Sequence, residues 1–132
     1  MFYFTAKDAN LILPDVIKKF EIALEKKNEI LKFEKKLQML LSTANTFAEY
    51  IPLKQQLNTA ITQFYIASED LEKTGVVIKS IDQGLLDFPS KRFEEDVWLC
   101  WKYGETEIKF WHEKDTGFTG RKPVEVSDET LV

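Results

Sequence analysis

No glycine occurs before position 75, and all five glycines fall between Gly75 and Gly120. The hydrophobic period changes at the same point. Glycine marks places where a chain must turn sharply or approach another backbone closely, and it weakens helix interiors. A glycine-free 74 residues followed by a glycine-punctuated stretch therefore predicts two architectures in series: helices over 5–74, then a strand-rich half over 75–123.

In the first half, Thr5 and Asp8 have the spacing of a capping box. Pro14 follows closely, so the first turns are expected to form a short separate helix, with Pro14 opening the next one. Val16, Phe20, Ala23, Ile30, Phe33, Leu37, Leu40 and Ala44 then recur at steps of three, four or seven. This is an amphipathic stripe about 45 Å long. Ser42, Thr43 and Asn45 supply bend chemistry. Leu53, Leu57, Ala60, Phe64, Ala67 and Leu71 alternate by four and three, the spacing of a helical packing seam. Pro52 is expected to start or kink this second helix, and Gly75 to end it in a left-handed conformation. Two long helices with a short link pack as an antiparallel hairpin.

Beyond Gly75, segments 76–81 and 84–88 read as strands, the second stopped by Pro89. Glu94, Glu95 and Asp96 read as a loop. Segments 97–103 and 108–112 read as an aromatic hairpin around Gly104. The sum is a small antiparallel β-meander whose apolar face needs the helices as its partner layer. The predicted fold is a single α+β domain over 1–123, with residues 124–132 as a frayed tail.

The chain has 18 basic and 22 acidic residues, a net charge of -4. That balance argues against nucleic acid as a partner, because phosphate binding requires a dense basic surface. The charge is uneven, net +2 over residues 1–40 and net -6 over the remainder. One cysteine, Cys100, excludes an internal disulfide and any multi-cysteine zinc site. No segment has the run of about 18 apolar residues that would span a membrane. A soluble, cytoplasmic protein is the expectation.

All three tryptophans, the one histidine and the one cysteine lie between positions 98 and 112. Strand alternation in a regular hairpin places Val97, Leu99, Trp101 and Tyr103 with Ile108, Phe110 and His112 on the helix-facing side. It places Trp98, Cys100 and Lys102 with Lys109, Trp111 and Glu113 on the other. Cys100 and His112 then face opposite ways, which argues against a cysteine–histidine nucleophile. His112 and Glu113, with Asp82 or Asp87 across the meander, form an oxygen-and-nitrogen set suited to a divalent metal ion. The candidate metal ligands are His112, Glu113 and Asp82. Gly117 to Lys122 form a glycine-bearing loop in which Arg121 would clamp a small anionic ligand. Trp98 and Trp111, beside Lys102 and Lys109, are candidate stacking surfaces. A site histidine of this kind is expected to be removable at little cost to stability, whereas Trp101 is expected to be core.

The opening Tyr3-Phe4-Thr5, with Ala9-Asn10 and Leu13-Pro14, resembles the start of a prokaryotic family catalogued as domain of unknown function 2203. So do Gly84-Leu85-Leu86-Asp87-Phe88-Pro89, Leu99-Cys100-Trp101-Lys102 with Gly104-Glu105, Trp111-His112-Glu113, and Gly117-Phe118 with Gly120-Arg121 and Pro123. Lys102 stands where the family pattern leads one to expect arginine. The resemblance implies a small soluble protein with a helical hairpin joined to a strand-rich half. It supplies no catalytic residues, but it ties Asp87, Cys100, His112, Glu113 and Arg121 to a shared feature. The leading functional expectation is a binding or assembly module that forms a homodimer through helix faces. The alternative is a small metal-dependent enzyme or anion-binding protein, with its site at the end of the aromatic hairpin.

Overall fold

The computed structural model describes residues 2–43 and 47–125. Helices α1 (Ala6–Ser42) and α2 (Phe47–Glu72) pack together and precede strands β1 (Val77–Ser80), β2 (Leu85–Arg92), β3 (Glu95–Lys102), β4 (Phe110–Glu113) and β5 (Lys122–Pro123). The strands form one antiparallel sheet in sequence order. The α+β reading therefore holds, with one strand more than a four-stranded meander.

The capping box at Thr5 forms: Asp8 N–H donates to Thr5 Oγ1 at 2.9 Å, and Thr5 N–H donates to Asp8 Oδ2 at 3.5 Å. The helix it starts does not break at Pro14, which lies inside α1. Leu13 and Val16 are buried on either side of the exposed proline. Their packing holds the helix together across the missing N–H, whose loss costs about 3 kcal/mol in an unsupported helix. Pro52 likewise lies inside α2 rather than at its start. Gly75 ends the second helix with φ +105°, and its N–H donates to Glu72 O at 2.9 Å. A Cβ there would sit 2.8 Å from Phe4 Cζ, a second reason for glycine. Ala44 and Asn45 lie outside the described residues.

The core lies between the helices and one face of the sheet. Ala9, Leu13, Val16 and Phe20 of α1 meet Leu86, Phe88, Leu99 and Trp101, with Leu71 of α2 closing the side. The Phe20 and Trp101 rings meet edge-on at 5.3 Å. The chain start is tied to the sheet as Phe4 N–H donates to Pro89 O at 2.7 Å and Ser90 Oγ donates to Phe4 O at 2.6 Å. Pro89 therefore does not stop β2, which continues to Arg92.

Two turns depart from the sequence reading. Arg92 pairs with Glu95, so only Phe93 and Glu94 connect β2 to β3, with φ of 50° and 70°. These are the left-handed angles of a two-residue hairpin turn. Glu95 and Asp96 belong to the strand instead of a loop. The β3–β4 connection is wider and irregular. Ile108 dips into the core, where its N–H donates to Asn10 Oδ1 at 2.6 Å. The register resumes with Cys100 opposite Phe110 and Trp98 opposite His112. Val124 is held by a 2.8 Å bond to Lys109 O and packs on the core. The tail from 126 onward lies outside the described residues.

Candidate functional site

Residues directly opposite in an antiparallel pair point to the same face. The β3–β4 register therefore reverses the parity expected for β4. Trp98, Cys100, Phe110 and His112 share one face with Asp87, which is opposite Cys100 on β2. This face is the one turned away from the helices. Trp111 goes to the helix side beside Leu99, and Glu113 goes beside Val97. The expectation that Cys100 and His112 face apart is wrong. It assumed a regular hairpin, and the excursion of Ile108 into the core shifts the register by one.

The result is a cluster at the centre of the outer face. Asp87, Cys100 and His112 are each no more than 3% exposed. One potential ligand atom from each lies within 4.8 Å of the other two. His112 Nε2 contacts Asp87 Oδ2 at 2.9 Å. His112 Nδ1 lies 2.8 Å from Glu113 O. A carbonyl only accepts, so Nδ1 carries hydrogen and the Nε2–Oδ2 contact holds one further shared proton. Asp87 Oδ1 is buried without a hydrogen-bond partner. Burial raises the Asp87 pKa, against the opposing pull of His112 and Lys79. Burial, reinforced by the neighbouring Asp87 carboxylate, pushes the Cys100 thiol up to about 12. Cys100 is therefore a neutral thiol near pH 7 and a poor nucleophile.

The surroundings are cationic and aromatic. Lys79 Nζ lies 3.9 Å from Asp87 Oδ2 and 4.2 Å from the centre of the Trp98 ring. Lys114 Nζ approaches the same ring at 5.7 Å. On the other side, Arg121 Nη2 donates to Glu105 Oε1 at 2.7 Å and to Cys100 O at 3.2 Å. Its guanidinium stacks 4.1 Å from Phe110 and 4.6 Å from Phe118.

Of the sequence candidates, Asp87, His112, Trp98 and Arg121 come to this face. Glu113 and Trp111 do not. Glu113 is an exposed partner of Lys122 at 2.6 Å, a contact that lowers its pKa. Asp82 is exposed in the β1–β2 turn. Neither belongs to the buried cluster, so of the expected ligands His112, Glu113 and Asp82 only His112 lies in it. The stacking idea also changes. Trp98 is buried, Trp111 packs on the other face, and their cations are Lys79, Lys114, Arg92 and Lys122 rather than Lys102 and Lys109. In the Gly117 loop, Gly120 and Arg121 N–H groups bond to Gly117 O and Phe118 O. With its guanidinium engaged as well, Arg121 braces the sheet face in place of an open anion clamp.

Cys100 is the member that strand alternation set apart from His112, although the family resemblance tied it to Asp87 and His112. The signal for it lay in β2–β3: a two-residue turn at Phe93 and Glu94 dictates that Asp87 pairs with Cys100.

A helical hairpin backed by a five-stranded antiparallel sheet, with an aspartate, a thiol and an imidazole sealed on the sheet's far face, defines the class of this protein. Within it, the chain belongs to the family described as "Uncharacterized conserved protein (DUF2203)", which it matches over residues 2–124. No curated protein and no solved structure matches it. Among the described residues, no helix is long and apolar enough to cross a membrane.

Proposed function

We propose that the protein is a soluble, cytoplasmic assembly module that forms a homodimer through its helical hairpin. The observation that carries this reading is the uncovered distal half of the hairpin. Every buried residue of α1 lies at or before Ala23, yet the helix continues to Ser42. Those last 19 residues extend about 28 Å. Leu31, Met39 and Leu41 on this stretch are more than half exposed. On α2, Ile51, Tyr65 and Ile66 are exposed, and Lys54 is the one charged residue between positions 50 and 68. Protein interfaces are depleted in charge at their centre, while free solvated helices are laced with it. The charge-poor surface is that of α2, since α1 carries eight charged residues between positions 25 and 36. A second copy presents the same α2 face, and two hairpins related by a twofold axis complete a four-helix arrangement.

Light scattering and sedimentation on the full chain test this. The expected mass is twice 15.4 kDa, and Ile51→Glu with Ile66→Glu is expected to return it to the monomer value with an unchanged circular dichroism spectrum. A clean 15.4 kDa species at high concentration refutes the reading.

A further inference from the structure

We propose that Asp87, Cys100 and His112 bind a borderline-soft divalent cation of the zinc class, through the Cys100 sulfur, His112 Nε2 and an Asp87 carboxylate oxygen. This site lies on the sheet and does not rest on the assembly role of the helices. The first support is spacing. Tetrahedral coordination at about 2.0–2.3 Å sets ligand atoms roughly 3.3–3.7 Å apart. The cluster already has all three atoms within 4.8 Å of one another, and the 2.9 Å His112–Asp87 contact has only to widen slightly.

The second support is an orphan acceptor. Asp87 is 2% exposed, its Oδ1 has no well-formed hydrogen bond, and the Cys100 thiol is only a weak donor to the carboxylate. A buried carboxylate oxygen left that way is costly, and a cation in the cluster satisfies it. The third is orientation. The bond from Nδ1 to Glu113 O fixes the tautomer and leaves Nε2 as the inward-facing donor to a metal, the usual arrangement for a ligating imidazole. Thiolate plus imidazole selects a zinc-class ion over calcium or magnesium, which take all-oxygen sets.

Charge balances. Binding expels the thiol proton and the proton shared by His112 and Asp87. A divalent ion, one thiolate, one carboxylate and a neutral imidazole sum to zero, as does the metal-free cluster. Lys79 and Arg121 therefore meet no added positive charge, and Lys79 keeps its station over Trp98. Three protein ligands leave a fourth position for water.

The test is titration of the chelator-treated full chain with Co²⁺ alone, followed by absorbance. The expected result is equimolar uptake with a thiolate-to-cobalt charge-transfer band and the intense visible bands of tetrahedral cobalt, both abolished by Zn²⁺. Cys100 is the only cysteine in the chain, so wild type alone already assigns the charge-transfer band. Cys100→Ser is expected to lose that band, and Asp87→Asn to weaken uptake by about tenfold or more. Glu113→Gln and Asp82→Asn are expected to leave the titration unchanged. Absence of equimolar binding, an octahedral spectrum without charge transfer, or an unchanged spectrum in Cys100→Ser overturns the proposal.

Discussion

Replacing His112 by alanine is expected to be among the most damaging single changes on the sheet, contrary to what its candidacy as a site residue suggests. The imidazole is 3% exposed and contacts Asp87 Oδ2 at 2.9 Å, while the other Asp87 oxygen already lacks a partner. Removing the ring leaves a carboxylate sealed in the sheet with only the weak Cys100 thiol as a side-chain donor. Lys79 at 3.9 Å is too far for a hydrogen bond and is half in solvent. Breaking a buried pair by deleting one partner costs about 3–5 kcal/mol. For a chain of 132 residues, unfolding entropy sets roughly 4 °C per kcal/mol, so the midpoint should fall by about 12–20 °C. Urea denaturation and calorimetry on chelator-treated protein measure both quantities. The pairwise origin is tested by the double variant Asp87→Ala with His112→Ala. Its loss should be smaller than the sum of the single losses by about 1–3 kcal/mol, since the stranded carboxylate is gone. A His112→Ala loss under about 1 kcal/mol, or strict additivity in the double variant, refutes the argument.

Trp101→Ala should cost about 3–5 kcal/mol in the same assay, because the ring is fully buried against Phe20 and its Nε1 donates to Glu105 O at 2.9 Å. Cys100 should resist alkylation in the folded, metal-free protein at pH 8 and react fully in urea, since its thiol is buried with a pKa of about 12. The same shift has a stability consequence with a definite sign. A pKa raised on folding stabilises below the unfolded value of 9.0 and loses that contribution as pH rises towards about 12. Wild type should therefore lose stability relative to Cys100→Ala across that window, as measured by denaturant midpoints. Phe93→Asn with Glu94→Gly should raise stability by about 1 kcal/mol, because both turn residues have positive φ. Gly84→Ala should destabilise strongly, because its Cβ would lie 2.6 Å from Tyr103 Cβ at φ +68°.

The large divisions of this protein are legible in its residues alone. The glycine boundary at position 75, the heptad-like seam of α2 and the Thr5 capping box are local signals, and local physics is enough to read them. The same holds for the alternation of β3, which correctly sends Leu99 and Trp101 to the helices and Trp98 and Cys100 away. Tertiary structure decided what local rules left open or answered wrongly. Pro14 remains inside α1 because the packing of Leu13 and Val16 outweighs one missing hydrogen bond, and Pro52 likewise lies inside α2. The face taken by His112 depends on a connection whose length in residues does not fix its path. Ile108 leaves the strand line to bond Asn10 on a helix nearly a hundred residues earlier, and that long-range contact resets β4 by one position. Side-chain period in a strand is two, so a shift of one exchanges every partner. It removed Glu113 and Trp111 from the face that carries Asp87 and put His112 beside Asp87 and Cys100, a grouping no spacing along the chain reveals.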